Sequence, residues 1–399
     1  MIDYGCEKEL GVRWLLAPSL LENPYHVHIL RGQLSNSKTL GAVFNEVYDE
    51  VKLAFDDTFT NTDDWMSIPA YATFLQIISR TTARLLVGEP LCHNPKFLGN
   101  VLGCVVHVIH GKQTLGVFPS FLKPLAAKYL TNVPQSIEAT SKFLQPIIHE
   151  RREQLATFED DTADKPLDFL SWLLDEAKGE EQTLRALTLR LLFVSFASIH
   201  STSMTFTHAI YNLVVCPEYK LPLREEIKSI IEKEGWSRES INKMAKLDSF
   251  LKESLRLNKT HTASLHRKIR AFEFVFSDGT RVPRGTAISA VELPVHPDPS
   301  IAKQFNGFRY VNEKEKGQHT NHFVSTGLDY LAFGHGKRVC PGRFSANDSL
   351  KTLLAYFILN YDVRFKDESA SRPPNVYNGV GCLPNPVAEV MIRRRKPSI

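Results

Sequence analysis

Cysteine is sparse here and unpaired in sequence. Cys6, Cys92, Cys104, Cys216, Cys340 and Cys382 are scattered and form no CxxC pair. That argues against a disulfide framework and points to a reducing compartment. HExxH is missing too, so a zinc-peptidase reading has no motif. No GxGxxG loop is present, because Gly334-His335-Gly336 is not followed by a third glycine. A built-in flavin or nicotinamide site is therefore not indicated. No long basic stripe with interleaved aromatics runs through the chain, which excludes a nucleic-acid reader. The opening MIDYGCEKELGVRW carries acids and has no apolar centre, so it is not a signal peptide. Repeats and low-complexity segments are absent. The run Arg393-Arg394-Arg395-Lys396 is short and terminal, and reads as a solvated tail.

The most informative absence is internal. From Leu191 to Pro217 there is no Asp, Glu, Lys or Arg. Length alone would suit a membrane span. Yet Ser195, Ser198, His200, Ser201, Thr202 and Ser203 crowd its middle. Facing lipid, these polar groups would be badly placed. The stretch predicts a long helix buried inside the protein and lining a cavity.

What is present is an ordinary globular composition over 399 residues, enough to bury a sizeable core. The net charge of +4 suits an acidic protein partner or a membrane surface without requiring either. Helical spacing predicts helices over about 36–56, 168–179 with Gly179 as stop, and 223–233 ending near Gly235. Ser237 and Asp248 read as N-caps of the next two helices. Residues 272–276 and 281–291 read as a hairpin around Ser277-Asp278-Gly279. Residues 292–333, rich in Pro, His, Asn and Gly, read as a long structured meander, which in a compact domain is usually functional. A last helix is expected from about Gly342 to Asn360. The expectation is a mainly helical fold with a small β subregion late in the chain.

The segment Phe333-Gly334-His335-Gly336-Lys337-Arg338-Val339-Cys340-Pro341-Gly342 carries the chemistry. A cysteine just before a helix meets free N–H groups and a favourable dipole, which favour the thiolate. Gly336 and Gly342 allow close backbone approach and unusual dihedrals. Arg338 suits a charge-assisted pair with a carboxylate. Phe333 can pack beside the sulfur. This loop resembles the heme-binding loop of cytochromes P-450, FxxGxRxCxG, at every fixed position. The resemblance implies that Cys340 is the axial ligand of a heme iron, that Arg338 meets a propionate, and that Phe333, Gly336 and Gly342 shape the cofactor site. A thiolate ligand pushes electron density onto iron and favours O–O cleavage.

Other segments agree in order. Glu253 and Arg256 form ExxR, at i,i+3 on one helix face. The segment FNGFRY (305–310) resembles the family's third partner, Arg309, and His296-Pro297-Asp298-Pro299 precedes it. The resemblance gives these residues a structural role in locking the meander and the cysteine loop. The polar helix resembles the family's distal helix, A/G-G-x-D/E-T-T. Its counterpart here is Ala197-Ser198-Ile199-His200-Ser201-Thr202. His200 replaces the usual acid and Ser201 the first threonine. Ser201 keeps a hydroxyl, and proton delivery through Ser201, His200 and Thr202 is the expectation. His266 or Arg267 stands where the family keeps a cationic propionate partner. Arg31 resembles the arginine of WxxxR, with Val27 where Trp is usual.

The resemblance covers nearly the whole chain and implies one catalytic domain, residues 1–399, of fungal secondary-metabolism type. The earliest recognisable element lies near residues 25–36, so the N-terminal anchor, first helix and first sheet strands of the fold are expected to be missing. The implied activity is oxygen insertion into a C–H bond of an apolar small molecule such as a terpenoid. Electrons would come from NADPH through a separate reductase, docked on a basic surface, at the cytosolic face of the endoplasmic reticulum membrane. Two alternatives stay open. One is a heme protein without monooxygenase activity: a rearranging enzyme, a peroxide user or an inactive fragment. The other is a zinc site built from Cys104, His107 and His110 with Cys92-His93 nearby.

Overall fold

A computed structural model describes residues 11–60, 64–157, 165–270, 272–291, 304–311 and 322–396. Its longer helices are α1 (Tyr25–Gln33), α2 (Ser37–Thr58), α3 (Ala70–Val87), α4 (Pro95–Gly116), α5 (Lys123–Tyr129), α6 (Val133–Thr157), α7 (Phe169–Glu176), α8 (Leu184–Val215), α9 (Lys220–Glu234), α10 (Arg238–Lys243), α11 (Ala245–Leu257) and α12 (Arg343–Asn360). The strands are β1 (Met66–Pro69), β2 (Ala263–Lys268), β3 (Glu273–Val275), β4 (Arg281–Pro283), β5 (Ala287–Val291), β6 (Tyr361–Arg364), β7 (Val376–Asn378), β8 (Gly381–Leu383) and β9 (Glu389–Arg394). The helices dominate, as composition and periodicity predict.

The chain divides into two compact units interleaved in sequence. The first comprises Met1–Ile29, Leu86–Phe196 and Ala263–Val291. In it α4 packs on α6. Asn94 starts α4 by accepting from the Lys96 and Phe97 N–H groups, with Pro95 at the first helical position. Asp168 starts α7 by accepting from Ser171 N at 2.8 Å. That helix ends at Glu176, before Gly179, because Ala177 turns extended and Gly179 opens a separate short turn. The late hairpin also differs from expectation. Residues 281–291 are not one strand: β4 pairs with β3, the chain breaks at Gly285 (φ +89°), and β5 pairs with β2. Pro283 lacks a donor and Gly285 takes a conformation that a β-strand cannot continue.

The second unit comprises Leu30–Leu85, Ala197–Thr262 and Glu292–Ile399. Its core is built from α2, α3, the second half of α8, α9, α11 and α12, with Phe55, Phe74, Phe206, Phe250 and Phe357 essentially solvent-free. A three-stranded antiparallel sheet, β1-β9-β6, flanks it. The basic run expected as a solvated tail lies in this sheet. Arg393 and Arg394 end the central strand β9, and Arg395 N–H donates to Asn360 O at 2.8 Å. Alternation explains this: Val390 and Ile392 are buried, which turns Met391 and Arg393 to the other face.

Ser237 caps α10, accepting from Ser240 N at 3.1 Å. Asp248 is no cap. Helix α11 begins three residues earlier, and its first free N–H groups, of Lys246 and Leu247, are taken by the Glu226 carboxylate from α9 at 2.8 and 3.0 Å.

Helix α8 has a window apolar enough to cross a membrane by length and composition, and half of that window is buried inside the protein. The segment His296–Pro299 lies outside the described residues.

Candidate heme site

The cysteine loop is a chain of tight turns. Gly334, in the left-handed region (φ +72°), donates to Leu331 O at 2.7 Å. Gly336, also left-handed (φ +66°), opens a 3-10 turn over Gly336–Arg338, closed by Val339 N–H to Gly336 O at 3.1 Å. Both conformations favour glycine. The chain then returns, and Cys340 N–H donates to Phe333 O at 2.8 Å. The Phe333 ring meets Phe323 edge-on at 5.2 Å and packs on the core, which fixes one end of the loop.

Gly342 holds the N-cap position of α12 at φ −93°, an ordinary value, so its role is not an unusual dihedral. A Cβ at Gly336 or Gly342 would meet no protein atom within 4 Å. These two positions are therefore open to a close-lying group.

Cys340 is half-buried, and its sulfur receives the Gly342 N–H. Burial pushes the thiol up, and the Gly342 N–H and the Arg343 guanidinium favour the thiolate without overcoming it. The helix start thus helps less than the sequence suggests, because the sulfur is desolvated. A coordinating metal deprotonates such a thiol outright. A sulfur on a braced loop, open glycine backbone beside it and guanidiniums at its edge form a donor set that fits a thiolate-ligated heme. Arg338 lies in the 3-10 turn, and Arg31 of α1 donates to Lys337 O of the same turn at 2.6 Å.

Also in the second unit, Glu253, Arg256 and Arg309 meet. Arg256 donates to both carboxylate oxygens of Glu253 at 2.7 and 2.8 Å, and Arg309 to both at 3.1 and 3.2 Å. Asn306 N–H adds a fifth bond at 3.0 Å, and both arginines reach Gln304 O. Burial would raise the Glu253 carboxyl, but these hydrogen bonds outweigh it and hold the group below the usual carboxylate range.

Two further ties carry no local sequence signal. Asp248 accepts from Phe323 N–H at 2.8 Å and pairs with the buried Lys351 of α12. Asp348 pairs with Arg238. Both fix α12, and with it the cysteine. They join residues 75 to 110 positions apart, beyond the reach of any local pattern.

On α8, Ser201 Oγ donates to Ala197 O at 2.7 Å and keeps its lone pairs for an acceptor role. His200 is half-buried, and burial lowers it to about 4, so it is neutral near pH 7. Thr202 is buried. In the first unit His266 and Arg267 lie on β2, where a bulge follows Ser264 and Leu265 takes φ +53°. There His266 Nδ1 meets Ser289 Oγ at 2.5 Å, and Arg267 donates to His266 O at 2.9 Å. Among the described residues Cys104, His107 and His110 form no metal-ligand cluster. Cys104 is buried among apolar side chains, and His107 Nδ1 meets Ser136 Oγ at 2.6 Å.

Comparison with known proteins agrees with this geometry. The family model for cytochrome P-450 matches residues 33–389. Cytochrome P-450 monooxygenase 151 of Postia placenta is 40% identical over 402 residues, covering 98% of this chain and 80% of that protein. Cytochrome P-450 monooxygenase AN1598 of Emericella nidulans is 34% identical over 388 residues, covering 94% and 71%. A solved structure, retinoic acid bound cyanobacterial CYP120A1, superposes with a TM-score of 0.70 at 18% identity, over 92% of this chain and 78% of that one. That likeness shows the fold. The family uses a heme-thiolate cofactor supplied with electrons by an NAD(P)H-dependent reductase. The cysteine loop and the long polar helix, in a chain that its relatives match over nearly its whole length, thus have one common explanation: the chain belongs to the cytochrome P-450 family of monooxygenases.

Proposed function

We propose that this monooxygenase inserts oxygen into a C–H bond of an apolar small molecule, a terpenoid or related secondary metabolite. The observation that carries the reading is the Cys340 loop, which offers one sulfur beside open glycine backbone. When bound there, a thiolate-ligated heme supplies the oxygen activation. Cys340 would hold the iron, and Arg338 and Arg31 would meet the propionates. Ser201, His200 and Thr202 would hold or pass protons on the distal side. His200 would do so as a neutral imidazole, since burial keeps it uncharged near neutrality. Glu253, Arg256 and Arg309 would brace the loop without touching the chemistry.

The electron donor would be a separate NADPH-dependent reductase. The site of action would be the cytosolic face of the endoplasmic reticulum membrane. An exposed apolar strip supports membrane contact: Val117, Phe121, Leu125, Tyr129 and Leu130 are all more than half exposed, beside Lys123 and Lys128.

The test is the reduced, carbon-monoxide-bound spectrum of the purified chain beside a Cys340→Ser variant. It is followed by turnover with a reductase, NADPH, labelled oxygen and a terpenoid panel. A far-red Soret band that depends on Cys340, with label in a product, is the expected result. A Cys340-dependent band with no labelled product would favour a heme protein that is not a monooxygenase. Heme binding unaffected by Cys340→Ser would overturn the site assignment.

A further inference from the structure

A cleft of about 690 Å³ lies in the second unit, bounded by the end of α8, the start of α9, β6 and residues 365–372. That size is within the range of small-molecule sites. Part of the lining is apolar: Val214, Val215, Pro217 and Phe365. Lys220 and Arg364 add donors to the lining. Lys220 Nζ gives one of its three N–H groups to Val363 O at 2.8 Å. Arg364 pairs with Glu368 through one terminal nitrogen, and its Nε is buried without a hydrogen-bond partner.

The two carboxylates nearby are already paired. Asp362 lies within ion-pair reach of Arg224, Arg393 and Arg395, at 3.1, 3.5 and 3.6 Å. Glu368 is held by Arg364 at the rim. The guanidiniums of Arg364 and Arg393 also pack on the Trp65 ring, at 4.3 and 4.7 Å, which fixes the Arg364 head beside the cleft. Lys220 keeps two N–H groups for a ligand, which suits an anion, and the apolar part of the lining suits an apolar body.

We infer that this cleft is a second binding site, for a small amphipathic carboxylate whose head meets Lys220 and Arg364 and whose apolar body lies along Val214, Val215, Pro217 and Phe365. Burial pushes the Lys220 ammonium down, and a carboxylate bound beside it would act in the opposite direction. The site is built from residues with no part in the cysteine loop or in the Ala197–Thr202 segment of the distal helix, and it stands independently of the proposed substrate class.

The experiment uses the heme-loaded full chain with its iron blocked by clotrimazole. Equilibrium dialysis against radiolabelled decanoate is run beside decanol as the neutral comparison. One saturable decanoate site per chain should survive clotrimazole, and decanol should bind at least about tenfold more weakly, the loss expected for a charge-assisted pair. Lys220→Ala and Arg364→Gln should each weaken decanoate by about tenfold while keeping the wild-type carbon-monoxide spectrum, which reports intact folding. If one variant loses that spectrum, the other decides. Abolition of binding by clotrimazole, equal binding of decanol, or wild-type affinity in a folded variant would each overturn the inference.

Discussion

Arg309 Nε donates to Glu253 Oε2 at 3.1 Å across 56 residues of sequence, and Arg256 holds the same carboxylate from one helical turn away. Glu253 is fully buried and faces two guanidiniums. Removing the shared partner of such a group leaves two cations uncompensated, a loss of about 3–5 kcal/mol. Glu253→Gln should therefore lower the urea midpoint sharply and release heme. Arg309→Ala should do less, because Arg309 is more exposed than Arg256 and Arg256 would keep its bidentate pair. Equal losses for Glu253→Gln and Arg309→Ala would show that the triad does not share one carboxylate as described.

The same geometry fixes a pH dependence. Hydrogen bonding holds Glu253 below its unfolded value, so its contribution is present above the usual carboxylate range and is lost as pH falls through the depressed folded value. The buried histidines act higher. Burial, aided at His26 by Arg190 and at His208 by Arg372, lowers both to about 3. Burial alone lowers His200 to about 4. Between those values and about 6.5 the unfolded chain binds protons that the folded chain does not. Stability should be full above about pH 6.5 and fall below it, by up to about 1.4 kcal/mol per pH unit for each histidine. Urea titrations at pH 7.5, 6 and 5 measure this, and a flat profile would count against neutral burial. His208→Asn should flatten it in part.

The elements legible in the sequence are those whose signal is local. The Cys340 loop is a ten-residue pattern, Glu253 and Arg256 share one helix turn, and Ser237 caps the helix it precedes. Arg309 was legible only through a family resemblance, because nothing in FNGFRY itself points to α11. What the sequence concealed is non-local. Glu226 caps a helix 20 residues away, a role that local reading assigns to Asp248. Arg31 reaches Lys337 across 306 residues. Arg393 looks like tail charge until β9 is seen between β1 and β6. Periodicity describes one element at a time, and these residues act on another.

The two glycines flanking the cysteine should respond differently to alanine. Gly336 sits at φ +66°, so Gly336→Ala should destabilise the protein by about 1 kcal/mol or more whether or not a ligand is present. Gly342 has an ordinary φ and no protein atom within 4 Å of a built Cβ. Gly342→Ala should leave heme-free stability within about 0.5 kcal/mol of wild type, as for a surface change. If the open side of Gly342 faces the cofactor, the same variant should lose heme affinity. Thermal melts with and without hemin separate the two effects. A Gly342→Ala protein that binds heme normally would place the cofactor elsewhere.

On the distal helix, Ser201→Ala removes a hydroxyl whose proton lies on Ala197 O and whose lone pairs are available. The helix should lose little, since the bond is a local one to its own turn. If Ser201 helps to deliver protons, the product formed per NADPH consumed should drop about tenfold or more, a usual range for a positioned proton-transfer group. The carbon-monoxide spectrum should not change. Product yield equal to wild type would reduce Ser201 to a helix residue satisfying its own backbone.

The exposed strip on α5 and its flanks makes a separate claim. Phe121 and Leu125 expose 77% and 56% of their surface, and Lys123 and Lys128 stand nearby in sequence. Burying such side chains in a bilayer interface returns roughly 1.5–3 kcal/mol each when complete. Partial burial of both still corresponds to a tenfold change or more. Phe121→Ser with Leu125→Ser should therefore reduce co-sedimentation of the heme-loaded chain with phosphatidylcholine vesicles by about tenfold, with the Soret band unchanged. Adding anionic lipid should strengthen wild-type binding through the lysines, and added salt should reverse that gain. Undiminished binding by the double variant would mean that the strip does not face the membrane.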